Sequence, residues 1–202
     1  MILRRLALFF GFFAVLVAPW PGVNGAYSAW ICASGRAAFY MGHPGFELTF
    51  EALQETRDRP LDTRIVLIDL RDPQGEGRRR ATVMDLDMRG IGWVPTAFLA
   101  ALVLASPIPW PRRVRALVLG LFAMHAFVLL SLGLHVLDHS PMGGGTFMDG
   151  LDETLINQVG PGFFVAMLLW VLVTVRPGDW ATLTGRSHDA RHAVADPSVT
   201  YL

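Results

Sequence analysis

Lysine is absent from this 202-residue chain, and cysteine occurs once, at Cys32. A single cysteine excludes an internal disulfide and any multi-cysteine metal site. Arginine supplies all seventeen basic charges, and seventeen acidic residues balance them to a formal net charge of zero. With no basic excess, the electrostatic footprint of a nucleic-acid partner is missing. Charge is scarce altogether, at 17% of residues, where a soluble domain carries about a quarter. There is no internal repeat and no low-complexity block. What the chain does have is apolar surface. Hydrophobic residues make up 52%, the mean hydropathy is +0.41, and the apolar residues gather in blocks at 6–18, 91–106, 114–137 and 160–175. Such blocks are the distribution of membrane-spanning segments, not of one soluble core.

The pattern predicts a mainly α transmembrane protein of about four membrane-spanning helices, with a small external segment containing a β-hairpin between spans one and two. Residues 1–26 read as a signal anchor or signal peptide. Arg4 and Arg5 precede the apolar run Leu6 to Ala18, and Pro19-Trp20-Pro21-Gly22 ends it. Asn24-Gly25-Ala26 is a mediocre cleavage site, which favours an uncleaved anchor. Residues 27–90 are polar and mixed. Phe46 to Phe50 alternates with period two, Arg64 to Leu70 is short and β-branched, and Arg80 to Met88 alternates again. These read as a strand followed by a hairpin, with the turn-rich Asp72 to Gly77 between its arms. Residues 91–175 hold three further spans: Ile91 to Ala105, flanked by Trp93 and Trp110; Val114 to Leu137; and Val159 to Val175. Residues 176–202 lack apolar periodicity and read as a disordered cytoplasmic tail.

Orientation follows from the short loops. Arg112, Arg113 and Arg115 lie between spans two and three, whereas 138–159 carries Asp138, Asp149, Asp152 and Glu153 and no Arg. The positive-inside rule puts 107–113 in the cytoplasm and 27–90 and 138–159 outside, with the C-terminus cytoplasmic. Arg4, Arg5 and Arg176 agree. Arg78, Arg79, Arg80 and Arg89 run against it, in a segment long enough to escape the rule.

Five features bear on chemistry. His135 and His139 stand at i and i+4, sharing one helical face with the spacing of metal ligands. They are the candidate metal or haem ligands, although the glutamate of a zinc-protease helix is missing. The competing reading is a polar helix end meeting water. His125 lies within span three, where a neutral His bonded to a neighbouring span competes with a quinone or proton-relay role. Cys32-Ala33-Ser34-Gly35-Arg36 offers a thiol near Arg89 and His135 or His139, a trio of the kind an exosortase-type membrane transpeptidase uses. Its order and spacing depart from that enzyme's pattern, and a small residue near the membrane surface is the alternative. Gly143-Gly144-Gly145-Thr146 lacks the rest of a phosphate loop and reads as a flexible external loop. Arg78-Arg79-Arg80 reads as a solvated hairpin loop or an anion-binding site.

The stretch Met88 to Pro107, with Pro95 at the start of a span, an Ala-Leu-rich run and the exit Ala105-Ser106-Pro107, resembles the exosortase-associated integral membrane proteins. Arg112-Arg113 and Gly120 continue the likeness, which covers about residues 88–120. It implies a non-enzymatic accessory or scaffold role in a protein-sorting system of the bacterial cell envelope, in the inner membrane, with no catalytic residues and no cofactor. The implied partners are the lipid bilayer and another membrane protein. The alternative is a small membrane redox protein or enzyme holding metal or haem on His135 and His139.

Overall fold

The protein, described by a computed structural model over residues 2–39, 45–53, 61–74, 78–138 and 160–175, alternates helical and extended segments in the order α1 (Ile2–Val17), α2 (Val23–Phe39), β1 (Phe46–Ala52), β2 (Thr63–Gln74), β3 (Arg78–Leu86), α3 (Val94–Ala105), α4 (Trp110–Asp138) and α5 (Gly160–Thr174). A π-helical turn, Arg89–Trp93, leads into α3.

The breaks follow from the sequence. Pro19 and Pro21 cannot continue α1, and Gly22 adopts φ 83°, which turns the chain into α2. Pro107 and Pro109 stop α3 in the same way, with Ser106 already extended. The three strands form one antiparallel sheet in the order β1-β2-β3. Ile65 stands opposite Phe50 on one side and Met84 on the other, and all three are buried. On the opposite face, Arg64 stands between Glu51 and Asp85 and makes a two-pronged bond to Asp85 at 2.7 and 2.9 Å. Helix α2 covers the inner face. It approaches closely because position 35 is glycine: a Cβ there would lie 2.9 Å from the Phe50 ring.

Helix α3 is the centre of the apolar bundle, with Ala97, Leu99, Ala101 and Val103 buried. The rings of Phe9 and Phe13 on α1 meet Phe98 edge-on at 5.4 and 5.8 Å, and Phe163 on α5 meets it at 5.0 Å. Small residues bring the other axes close: Gly120 of α4 lies under Leu99, and Gly162 of α5 lies against Pro95. Helix α4 belongs to both parts of the molecule. Its first half packs on α3 through Gly120, and its second half packs on α2, with His125 against Trp30 at 4.4 Å and Gly133 against Phe39.

Four membrane spans are not what the structure contains. Among the described residues, one helix is long and apolar enough to cross a bilayer, α4 with 29 residues. The apolar helices Arg89–Ala105 and Gly160–Thr174 are shorter, and α1 has 16 residues. At 1.5 Å per residue, sixteen residues reach about 24 Å, short of a ~30 Å hydrocarbon core. Prolines end α1 and α3; the apolar blocks there, counted as spans by composition, are too short to cross alone. A second difference is α2, a helix where the sequence predicted only a β-containing segment. The loop 138–159, beyond its first residue, and the tail 176–202 lie outside the described residues.

Candidate functional site

The most elaborate side-chain arrangement lies where α2, the sheet and the start of α3 meet, around Asp62. Its carboxylate is 4% exposed and accepts from the Met88 and Arg89 backbone N–H groups at 2.9 and 3.1 Å and from the Thr63 hydroxyl at 3.0 Å. Met88 and Arg89 begin the helical segment, so Asp62 fills the role of a helix cap from twenty-six residues away. Its backbone is equally committed. Its N–H donates to Leu86, and its carbonyl accepts from Leu53 N–H and from the Ser28 hydroxyl at 2.8 Å. Ser28 also shares a 2.8 Å bond with Thr63. Burial pushes the Asp62 carboxyl up, and the Met88 N–H opposes that push.

Cys32 lies in this junction, 1% exposed. Burial raises its thiol; the Arg36 cation lowers it by less. A buried thiol held protonated is a packing group, not a nucleophile. The cation beside it is Arg36, whose Nε donates to the Cys32 carbonyl at 3.3 Å. Arg89 is engaged elsewhere, donating to the Val17 carbonyl at 3.0 Å. The Cys32, Arg89 and His135 or His139 trio is therefore not assembled around the thiol by the described contacts.

The Arg89 bond belongs to a pattern. The last carbonyls of α1 have no partners within their own helix. Val15 receives Trp20 Nε1 at 2.7 Å, Leu16 receives Trp93 Nε1 at 3.1 Å, and Val17 receives Arg89. Arg113 donates to Ser106 and Ile108 at the end of α3, and Arg112 donates to Thr174 at the end of α5. Three apolar helices thus close on an arginine from another part of the chain, each favourably placed for the helix dipole.

Above the bundle, Tyr27, Trp30, Trp93 and His125 form an aromatic collar. Tyr27 meets Trp93 at 5.4 Å, and His125 lies edge-on to Trp30. His125 Nδ1 is 2.7 Å from the Leu121 carbonyl. The Tyr27 hydroxyl is buried beside Gly92 and Thr96, yet has no partner in hydrogen-bond geometry; the Thr96 proton goes to the Gly92 carbonyl.

His135 is buried in the last turn of α4. His139, Arg78, Arg79 and Arg80 as side chains, and Gly143 to Thr146 lie outside what is described. Among the described residues, no three His, Cys, Asp or Glu side chains gather as a metal site. The sequence reading missed Asp62. Its signal is non-local: an acidic residue just before a strand, with partners brought by the hairpin.

No family model, no curated protein and no solved structure matches the chain.

Proposed function

We propose that this protein is a non-enzymatic scaffold of the bacterial cell envelope, seated in the inner membrane and presenting its sheet module to a protein partner. The observation that carries this reading is the apolar surface left uncovered by the fold. Phe122 on α4 is 77% exposed, Phe164 on α5 is 70% exposed and Leu172 is 65% exposed. Contiguous apolar surface of this kind marks a membrane or protein contact. Only 33% of the most apolar stretch of α4 is buried, which supports lipid contact over the role of a core helix. We take α4 as the segment that crosses, with α1, α3 and α5 packed beside it.

Polarity supports the orientation. Helix α1 runs antiparallel to α3, since Val17 meets Arg89 and Phe9 meets Phe98. Arg4 and Arg5 therefore share an end with Arg112, Arg113 and Arg115. Every carboxylate among the described residues lies at the other end, in the sheet module, just after it or at the end of α4. The arginine end faces the cytoplasm in this reading, and the Asp138 end of α4 lies on the opposite side. The contacts of α1 with Arg89, Trp93 and Phe98 favour retention of residues 1–26. The likeness of residues 88–120 to exosortase-associated proteins makes a membrane sorting enzyme's system the setting we favour.

The scaffold reading is supported by the sheet's outer face, where Leu70 and Val83 are exposed. The test is extraction in mild detergent after an alkaline carbonate wash, followed by identification of co-purifying proteins, metal analysis and a visible spectrum. The expected result is a carbonate-resistant protein that brings a membrane protein with it, lost on Val83→Arg. Release by carbonate overturns the membrane reading. One metal or haem per chain, lost on His135→Ala, overturns the accessory reading.

A further inference from the structure

The arginines at one end of the bundle and the outer face of α1 together describe a ligand. Arg4, Ala7, Leu8, Gly11, Phe12 and Val15 line a groove of about 440 Å³. It runs along the face of α1 turned away from α3, because Phe9 and Phe13, which meet Phe98, lie on the other side. From Arg4 to Val15 it extends about 16 Å at 1.5 Å per residue. Its floor is open: nothing lies within 4 Å of a Cβ built at Gly11. Its walls, Leu8, Phe12 and Val15, are exposed apolar side chains.

One end of the groove is charged and the rest is not. Arg4 is exposed, and neither it, Arg5 nor Arg115 is held by a hydrogen bond or ion pair among the described residues. Arg112 and Arg113, at the same end, are committed to helix-end carbonyls. No carboxylate among the described residues lies at this end. The first turn of α1 adds the positive pole of its dipole. An occupant must therefore be apolar for most of its length and anionic at the Arg4 end.

We infer that the groove on α1 binds one anionic glycerophospholipid, its acyl chain lying over Ala7 and Gly11 and its phosphate paired with Arg4. The inference rests on the membrane seating proposed above. Charge complementarity favours lipid over a second helix. A partner helix lying in this groove would bury Arg4 and would need an acidic residue at that depth. A lipid phosphate occurs at that depth in any phospholipid bilayer, and an anionic lipid leaves its charge uncompensated by a headgroup cation.

The test uses the full-length protein in detergent, titrated with phosphatidylglycerol or phosphatidylcholine and read by native mass spectrometry, with flotation on vesicles of each lipid. Gly11→Leu fills the floor without meeting a neighbour, so it leaves folding intact; Arg4→Gln removes the charge alone. The expected result is one tightly held phosphatidylglycerol per chain, preferred at least fivefold over phosphatidylcholine. Each variant should erase that preference. Equal retention of both lipids by the wild type overturns the inference while leaving membrane seating intact. Failure to float on either vesicle removes the seating itself, and the inference with it. A dimer that Gly11→Leu dissolves gives the groove to a second copy and also overturns it.

Discussion

The two halves of this molecule are held by different means. In the bundle of α1, α3, α5 and the first half of α4, contact is between apolar side chains, and the polar work is confined to the helix ends. In the module of α2 and the sheet, the centre itself is polar: Asp62, Thr63 and Ser28 are all buried and bonded to one another or to backbone. The difference teaches where each half is vulnerable. Apolar packing spreads its energy over many contacts of a fraction of a kcal/mol each, whereas a buried network fails when one member is removed.

Asp62→Ala is the sharpest way to break the contrast. It strands the Met88 and Arg89 N–H groups and the Thr63 hydroxyl, and should cost about 3 kcal/mol or more. Hydrogen exchange should then show the sheet opening while α5 stays protected. Equal loss of protection in both halves would mean that the two form one cooperative unit. Gly92→Ala comes next. Its Cβ would fall on the Tyr27 hydroxyl, and overpacking of this kind costs about 1–3 kcal/mol. Because that hydroxyl has no partner, Tyr27→Phe alone should be nearly neutral and should recover most of the Gly92→Ala loss. Additive losses in a thermal-melt cycle would show that the hydroxyl is not the obstacle.

A smaller effect is read through pH. Burial raises the Asp62 carboxyl above its ordinary value of 3.8, so the folded state holds its proton more tightly than the unfolded chain. The stabilisation from that proton is fully present below pH 3.8 and is lost as pH rises through the folded value. The stability difference between wild type and Asp62→Asn should therefore fall across this acid window and flatten above it. A difference that rises with pH would mean that the three donors outweigh burial. The smallest effect is expected at Arg64 and Asp85, a half-buried pair on the sheet's outer face. Its coupling in a double-mutant cycle should shrink with added salt.

The strands were legible because period-two alternation at 46–50 and 80–88, and the short β-branched run at 64–70, are local signals. Helix α2 was not, although its buried face follows the helical interval: Asn24, Tyr27, Ser28, Ile31, Cys32 and Gly35. Four of those six residues are small or polar, so a reading keyed to large apolar side chains passes over them. Gly35 lies against the Phe50 ring, and Ser28 bonds to Asp62 and Thr63. The membrane count failed for the opposite reason, since apolar composition was plain but prolines end α1 and α3 short of a full span. His125, expected within a span, lies near the middle of α4, the one helix among the described residues long and apolar enough to cross a bilayer. Asp62 was beyond a local reading, since its role exists only once the hairpin brings residue 88 back to residue 62.

The closure of α1 also sets an order of events during synthesis. Its last carbonyls wait for Arg89 and Trp93, which follow 72 and 77 residues later in the chain. Until those residues leave the ribosome, α1 has an open end and no Phe98 to pack against. The first helix to be made is therefore among the last to be secured. The sheet, whose strand partners are close in sequence, can assemble while α1 is still waiting.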